Sequence, residues 1–138
     1  MSADVGGRRR APGHPLVEAV RRAGAVRRPE RTRRAPDLHP TCASTRLATT
    51  DDLVALGEAV ADAVTVPVAW GCCAFAGDRG MLHPELTASA TAAEAAEVAG
   101  VAAATHASCN RTCEIGMSRA TGEDYVHVLE LLELHTRP

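Results

Sequence analysis

The segment TTDDLVALGEAVADAVTVPVAWGCC, residues 49–73, contains a helix signal, a strand signal and two adjacent cysteines in succession. Thr50 is predicted to be the N-cap of a helix over 51–64, whose first turn holds two aspartates, because the helix dipole favours negative charge there. The β-branched residues that follow predict a short strand over 64–70, ending at Trp70. A helix, a strand and then a loop with reactive side chains indicate one unit of an α/β fold.

Similar signals occur on both sides of this segment. The short apolar run PDLHP predicts a strand upstream, and an alanine-rich run predicts a helix over 86–99 that ends at Gly100. VAAATHAS predicts the next strand, and TCEIGMSRA and YVHVLELLELH predict two further helices. With right-handed crossovers, this order predicts a small three-layer α/β domain over 36–138 with a mostly parallel sheet. In that sheet, 64–70 and 101–107 are expected to be neighbouring strands.

The five cysteines follow predicted strands directly or one helical turn later. Parallel strands place their carboxyl ends at one edge of the sheet, where open α/β sheets bind ligands. We therefore expect the sulfurs to converge on that edge, although long gaps separate them in the chain. The candidate metal ligands are Cys42, Cys72, Cys73, Cys109 and Cys113.

The spacing of these cysteines differs from two common metal sites. A zinc ribbon uses two close pairs, and a ferredoxin-type cluster uses three cysteines within about eight residues. Thiolates suit iron–sulfur clusters or zinc, and five candidates favour a cluster larger than one zinc ion. A structural zinc ion and buried cysteines without metal remain alternatives. Backbone amides of the glycine-rich loop are predicted to hydrogen-bond the sulfur atoms of the cofactor, and the predicted cofactor-binding residues are Gly71, Gly77 and Gly80.

Charge is divided unevenly along the 138 residues, whose net charge is −2. Residues 1–34 hold ten arginines and three acidic residues, a charge of +7, and the remainder holds five arginines and fourteen acidic residues, a charge of −9. Residues 1–35 are predicted to be a disordered or non-native tail, with one amphipathic helix pattern over 15–28. Nucleic-acid binding is disfavoured, because no aromatic residue interleaves the arginines. With no transmembrane run and no secretory signal, a cytoplasmic protein is expected.

Four motifs occur in order between about residues 38 and 138: HPTCAST, WGCCAFAGDRGMLHPELTASAT, SCNRTCEIGMSRATG and HVLELLE. One cysteine, a double cysteine and then a cysteine pair resemble the cysteine-rich "CCG" domain of heterodisulfide reductases and of glycolate oxidase iron–sulfur subunits. The sequence is most similar to the C-terminal end of large fused FAD and iron–sulfur D-lactate or D-2-hydroxyacid dehydrogenases.

The resemblance implies an iron–sulfur electron-transfer module, with a cluster of 4Fe-4S type held by Cys42, Cys72, Cys73 and Cys113, together with Cys109. In such enzymes a flavin oxidises a 2-hydroxy acid, and iron–sulfur centres carry the electrons onward. The chain would be a C-terminal remnant of such an oxidoreductase, not a complete catalyst alone, with FAD on a missing part or a partner chain. Its implied partners are the flavoprotein and ferredoxin-like parts of the parent enzyme, which would place it at the inner face of the cell membrane.

Two positions depart from the family pattern. Ala74 follows the double cysteine where the family has glycine, and alanine disfavours the positive φ that glycine adopts easily. Asn110 occupies the slot of the first cysteine of the family's CxxC pair, with Cys109 one position earlier. The competing hypothesis is therefore a zinc-stabilised or metal-free interaction domain that docks onto a separate flavoprotein. His39 and His83, near the same edge, are predicted to be structural histidines held by hydrogen bonds.

Overall fold

The computed structural model of the chain describes Ala19, Arg22 and residues 35–137. Apart from these positions, the predicted tail over 1–35 and its amphipathic helix lie outside the described residues. The described residues form a mixed α/β domain with a parallel sheet, which confirms the predicted fold class. Among the helices of this part of the chain, none is both long enough and apolar enough to cross a lipid bilayer.

Three short parallel strands form the sheet. β1 is Asp37–His39, β2 is His106–Ser108 and β3 is Tyr125–His127, in the spatial order β1-β2-β3. The register aligns the first residues of the three strands with one another, and likewise their last residues. All three carboxyl ends therefore lie at one edge of the sheet.

Six helices lie within residues 35–137, and four of them correspond to predicted helices. α1 is Cys42–Arg46, α2 is Thr50–Val60, α3 is Arg79–Leu82, α4 is Pro84–Val98, α5 is Arg111–Thr121 and α6 is Val128–Thr136. The N-cap of α2 is Thr49 rather than Thr50, and the C-cap of α4 is Ala99 rather than Gly100. The short helices α1 and α3 are not predicted by the sequence pattern, because neither is long enough to show a periodicity.

The segment 64–70 is not a strand, so the prediction that it neighbours 101–107 in the sheet is wrong. Only Thr65 pairs with the sheet, through one parallel bridge to Asp37. β1 lies between this bridge and β2. The chain thus leaves β1 toward one side of the sheet and later continues on the other side with β2 and β3. Such a reversal of strand order is where open α/β sheets bind ligands.

The sequence around Pro67 explains why the strand stops. Proline has no N–H group to donate to a neighbouring strand. The next two N–H groups, of Val68 and Ala69, donate to the two carboxylate oxygens of Glu97 in α4, each at 2.8 Å. A side chain from a distant helix therefore takes the hydrogen bonds that a longer strand would have used.

The periodicity of YVHVLELLELH predicts a continuous helix, but its first three residues form β3. The Tyr125 N–H donates to Ser118 Oγ at 2.9 Å, and the Tyr125 O–H donates to Asp37 Oδ2 at 2.6 Å. His127 then begins α6 as its N-cap, since its Nδ1 accepts the Leu129 N–H at 3.2 Å. Long-range contacts thus keep three residues extended that the local pattern would make helical.

The two faces of the sheet differ in polarity. Leu38 and Ala107, the middle residues of β1 and β2, face an apolar core that α2 and α6 complete with Leu53, Leu56, Val60, Val128 and Leu131. Side chains alternate along a strand, so the flanking residues point to the opposite face. These flanking residues are polar and buried, namely Asp37, His39, His106 and Ser108. α4 and α5 contribute hydrogen-bonding side chains on this polar face.

Candidate metal centre

Cys73 and Cys113 lie in contact on the polar side of the sheet. Their Sγ atoms are 3.0 Å apart, and their exposed fractions are only 3 % and 4 %. They are 40 residues apart in the chain, and both are free cysteines. Cys113 belongs to the first turn of α5, and Cys73 to the loop that precedes α3. The structure therefore brings together two of the predicted ligands from separate parts of the sequence.

Asn110 positions Cys113 by starting α5. Its side-chain Oδ1 accepts the Thr112 N–H at 3.1 Å and the Thr112 hydroxyl at 2.8 Å. Asparagine is among the best residues for such an N-cap. Asn110, which stands where the resembling domain has the first cysteine of its pair, thus has a structural role here. The first turn of α5 that it caps places the Cys113 sulfur beside Cys73.

The loop that carries Cys73 folds around the buried ring of Phe75. Gly80 packs on this ring, since a Cβ atom at Gly80 would collide with it. The Gly80 N–H donates to the Phe75 carbonyl at 2.7 Å. The turn places Ala74, Ala76 and Gly77 at φ values of 54°, 43° and 72°. Ala74 therefore adopts the positive φ that alanine disfavours.

His39, the last residue of β1, lies beside the two sulfurs. Its Nδ1 is 2.7 Å from Oε1 of Glu94 in α4, and both side chains are fully or almost fully buried. Its other ring nitrogen, Nε2, is buried without a hydrogen-bond partner in the part of the chain that the structure describes. One ligand atom each of His39, Cys73 and Cys113 lies within 4.8 Å of the others, so this group could hold a metal ion.

Sequence reasoning assigns His39 a structural role and does not single out Glu94. A signal for Glu94 is present in α4, whose buried positions fall at helical spacing along one face: Thr87, Thr91, Glu94 and Val98. A lone carboxylate on the buried face of an alanine-rich helix needs a partner. What the sequence does not reveal is that this partner stands 55 residues earlier, at His39.

The proximity of the three groups changes their acidity. The hydrogen bond from Cys113 lowers the pKa of Cys73 to about 4, against burial, and His39 and the Phe75 N–H act in the same direction as Cys113. Burial alone would lower the pKa of His39, but Cys73 and Glu94 outweigh it and raise that pKa to about 9. The hydrogen bond to Cys73, and then burial, raise the pKa of Cys113 far above its ordinary value. Without bound metal, neutral pH therefore favours a Cys73 thiolate beside a His39 imidazolium.

Cys42 and Cys72 are exposed and lie outside this buried group. Both act electrostatically on Cys113 and raise its pKa. Cys42 is the first residue of α1, which a capping box fixes: Thr41 Oγ1 accepts the Ser44 N–H, and Ser44 Oγ accepts the Thr41 N–H, each at 3.0 Å. Of the predicted ligands, Cys73 and Cys113 thus belong to the buried group, and Cys42 and Cys72 lie at the surface outside it.

Cys109 points away from the buried group. The Ser108 side chain lies on the polar face, where its hydroxyl donates to the His39 carbonyl at 2.9 Å. Side chains alternate along a strand, so the next one, that of Cys109, points to the other face. The Cys109 sulfur is 3.6 Å from Thr41 Oγ1 and packs against the apolar core of α2 and α6. Its role as a metal ligand stays a prediction.

The three glycines predicted to bind the cofactor differ in their surroundings. The Gly80 N–H is used by the Phe75 carbonyl, and Gly80 is needed for packing on the ring. Added Cβ atoms at Gly71 and Gly77 would meet no neighbour within 4 Å. The backbone N–H of Phe75 hydrogen-bonds the Cys73 sulfur and lowers the pKa of Cys73. That the three glycines bind a cofactor stays a prediction.

A second polar cluster lies at the amino end of the sheet, away from the cysteines. Asp37 Oδ2 accepts the Tyr125 hydroxyl at 2.6 Å and lies 3.2 Å from His106 Nδ1. Burial, and then the hydrogen bond to Asp37, raise the pKa of Tyr125. These residues begin the three aligned strands, so their hydrogen bonds link the strands at the amino end of the sheet. The cluster contains no cysteine.

No family model, curated protein or solved structure matches the chain. The resemblance to the cysteine-rich domain therefore rests on the four quoted motifs, and the metal centre rests on the geometry of the described residues.

Proposed function

We propose that this chain is an iron–sulfur electron-transfer module that serves a flavin-linked D-2-hydroxyacid dehydrogenase. The centre would be held by Cys42, Cys72, Cys73 and Cys113, with His39 beside it. The chain would supply only the last cysteine-rich unit of the cytoplasmic enzyme. Its flavin and ferredoxin-like parts would belong to a partner or to the missing portion.

The observation that carries a metal centre is the convergence of His39, Cys73 and Cys113, since one ligand atom of each lies within 4.8 Å of the others. The buried Nε2 atom of His39 makes no hydrogen bond of ordinary geometry among the described residues, so it can serve as a ligand. Metal-binding histidines almost always have the other ring nitrogen held by a carboxylate or carbonyl, as Glu94 holds Nδ1 here. Two thiol sulfurs complete a soft donor set that suits iron–sulfur centres and zinc and does not suit magnesium or calcium.

The number of cysteines supports a cluster. The buried pair supplies two thiolates, and the exposed thiols of Cys42 and Cys72, which raise the pKa of Cys113, would supply two more. A bound cluster would accept and release single electrons at a potential set by hydrogen bonds and solvent exposure. For this chain those determinants are the Phe75 N–H at the Cys73 sulfur and the burial of the inner pair.

A zinc site is the second candidate, and the compactness of the buried group favours it. Two thiolates bound tetrahedrally to one zinc ion, each at about 2.3 Å, are about 3.8 Å apart. The Cys73 and Cys113 sulfurs at 3.0 Å would need to separate by only about 0.8 Å to hold one ion with His39. In that case the chain would be a zinc-stabilised domain that docks onto a flavoprotein.

Anaerobic reconstitution tests the two candidates. The full chain is incubated with ferrous iron and sulfide, or with zinc, and then analysed for metal, acid-labile sulfide and visible absorbance. We expect a broad visible band with stoichiometric iron and sulfide, and loss of both in the Cys72→Ser/Cys73→Ser variant. A colourless protein that retains one zinc ion and rejects iron supports the second candidate instead. A chain that retains neither metal overturns both.

Cys109→Ser is the matched control, because it removes one thiol that packs on the other side of the sheet. We expect it to retain the centre at the stoichiometry of the unaltered chain. This result separates loss of the site from the mere loss of a cysteine, and loss of metal in this variant would show that Cys109 is a ligand after all.

A further inference from the structure

The Cys73–Cys113 pair is placed for a second chemistry besides metal binding. An S–S bond is about 2.04 Å long, so sulfurs at 3.0 Å need to approach by only about 1 Å. Cys113 is fixed in the first turn of α5, whereas Cys73 lies in a loop outside any helix or strand. The alternative bond between Cys72 and Cys73 would be a strained vicinal disulfide. Cys109 is held at Thr41, on the side of the other core.

We propose that Cys73 and Cys113 form a reversible dithiol–disulfide couple that exchanges with low-molecular-weight disulfides of the glutathione type, RSSR. A protein thiolate attacks one sulfur of RSSR, which forms a mixed disulfide and releases one RSH. Attack by a second protein thiolate on the protein sulfur of this mixed disulfide releases the other RSH. Overall, two protein thiols lose two electrons and two protons and form one S–S bond, and RSSR gains both to become two RSH.

Burial of the pair determines the route. Both sulfurs are almost inaccessible to a molecule the size of glutathione, but Cys72 is exposed and directly precedes Cys73. The first attack on RSSR therefore occurs at Cys72. Cys113 passes its proton to the Cys73 thiolate across their 3.0 Å contact and displaces RS⁻ from Cys72, and RS⁻ then takes up that proton as RSH. The Cys73 thiolate then attacks the Cys113 sulfur to form the final bond and releases Cys72, which returns to its thiol form by taking up a proton.

The couple would control metal loading, because the disulfide uses the two sulfurs that the centre needs. Oxidised chain then lacks both buried thiolates and keeps only His39 of the buried group. Reduction by RSH restores the dithiol and with it the site. This behaviour is a property of the chain without metal, so it does not depend on whether the centre is iron–sulfur or zinc.

The test uses the full chain, stripped of metal and reduced. It is incubated with oxidised glutathione, free thiols are alkylated, and disulfides are located by peptide mass spectrometry. We expect the Cys73–Cys113 link to exceed any other link at least ten-fold, to reverse with reduced glutathione, and to lower zinc uptake at least ten-fold. A different dominant link, persistent alkylation of both thiols, or unchanged zinc uptake by the oxidised chain would overturn the proposal.

Three variants test the steps separately. Cys113→Ser is expected to stop at a mixed disulfide with glutathione, and Cys72→Ser to reach the same Cys73–Cys113 link at least ten-fold more slowly. Cys109→Ser, the matched control, is expected to react like the unaltered chain. Unchanged kinetics in Cys72→Ser would refute the route through that residue. The link is mapped in the unaltered chain, so its assignment stands or falls even if a variant misfolds.

Discussion

His39 uses its two ring nitrogens for different purposes. Nδ1 is bound to Glu94, which fixes the ring and, in the neutral form, keeps the proton on that nitrogen. Nε2 is thereby left to face the sulfurs, either as a metal ligand or, when the ring is protonated, as a partner of the Cys73 thiolate. The Glu94 carboxylate therefore determines which ring nitrogen of His39, at the end of β1, is available to the sulfurs.

The same residues predict how stability depends on pH in the reduced chain without metal. The pKa of Cys73 is about 4 in the folded state and 9.0 ordinarily, and that of His39 is about 9 against 6.5. Between pH 4 and 6.5 the unfolded chain binds one proton more than the folded chain, on Cys73, so the free energy of unfolding rises with pH. From 6.5 to 9 the folded chain holds its proton on His39 and the unfolded chain on Cys73, so this contribution is constant.

Urea unfolding at a series of pH values, with Cys73→Ser alongside, measures this profile. The difference between the two proteins should rise from pH 4 to 6.5 and then level off. The ultraviolet absorbance of the thiolate offers an independent readout and should persist in the folded chain down to about pH 4. Thiolate absorbance that disappears below pH 9 would contradict the ion pair.

Ala74 gives a prediction about backbone strain. A left-handed conformation costs an L-residue about 1–2 kcal/mol, and glycine avoids this cost but loses about 0.5–1 kcal/mol more entropy on folding. Ala74→Gly is therefore expected to raise the free energy of unfolding by up to about 1 kcal/mol, since Ala74 has φ of 54°. Ala92→Gly, at an exposed position inside α4, is the control, and it should lower the free energy of unfolding by about 1 kcal/mol. Equal losses in both variants would show that position 74 is not strained.

At the scale of elements, α4 links the site to the rest of the domain. Its buried face presents Glu94 to β1, and Glu97 binds the two N–H groups that end the short pairing at Thr65. Gly116 lets α5 approach this helix closely, since a Cβ atom there would lie 3.2 Å from the Thr87 side chain. The position of α4 therefore fixes both the histidine and the start of the loop that carries Cys73.

Replacing Glu94 tests this role of α4. Glu94→Gln keeps the size of the side chain but removes the charge that supports His39, so we expect metal affinity to fall about 10–100-fold. Competition with a chromophoric chelator measures the change. Glu85→Gln is a matched control, because Glu85 lies in the same helix and also binds a histidine, His83 at 3.2 Å, but on the surface. Equal effects of the two substitutions would argue against a special role for Glu94.

The sequence predicts the elements that local signals define and misses those that distant side chains define. Local signals predict that α2, α4 and α5 exist, but not where they end: the helix predicted over 51–64 ends at Val60, and the one predicted over 86–99 begins at Pro84. The convergence of parallel strand ends follows from the connections between the strands. The segment 64–70 does not form the predicted strand, because the Glu97 carboxylate binds N–H groups that a strand would use. The pattern of 125–135 predicts a helix throughout, but Ser118 and Asp37 hold Tyr125 in the extended conformation of β3. The pairing of His39 with Glu94 is equally distant, so cysteine spacing alone could not reveal it.

At the scale of the whole molecule, the two faces of the sheet differ: one packs the apolar core, and the other carries the candidate metal site. On one face of the sheet, α2, α6 and the middle residues of β1 and β2 form the apolar core, and the partly buried Cys109 packs against it. The candidate metal-binding group and the Asp37 cluster both lie on the polar face, at opposite ends of the same short strands. The candidate site and the core of α2 and α6 are therefore on opposite faces of the sheet.

The positions of the core and of the candidate metal site along the chain also predict where it can be shortened. The core residues and the candidate metal-binding group lie between Leu38 and Leu131. Within residues 35–137, the earliest backbone hydrogen bonds are those of Ala35 and Pro36, whose carbonyls accept the N–H groups of Ala104 and Thr65 at 3.3 and 2.9 Å. Deleting residues 1–34 is therefore expected to leave thermal unfolding and metal binding unchanged.

A deletion only three residues longer, through Asp37, should behave differently. It removes both carbonyls and leaves the buried Tyr125 hydroxyl and His106 without their shared carboxylate. An unpaired buried polar group costs about 1–3 kcal/mol, so the longer deletion should be destabilised by at least that amount. Comparing the melting temperatures of the two truncated chains locates the start of the domain. A large loss of stability on deleting only residues 1–34 would show that the arginine-rich segment belongs to the fold, and the remnant hypothesis would then be wrong.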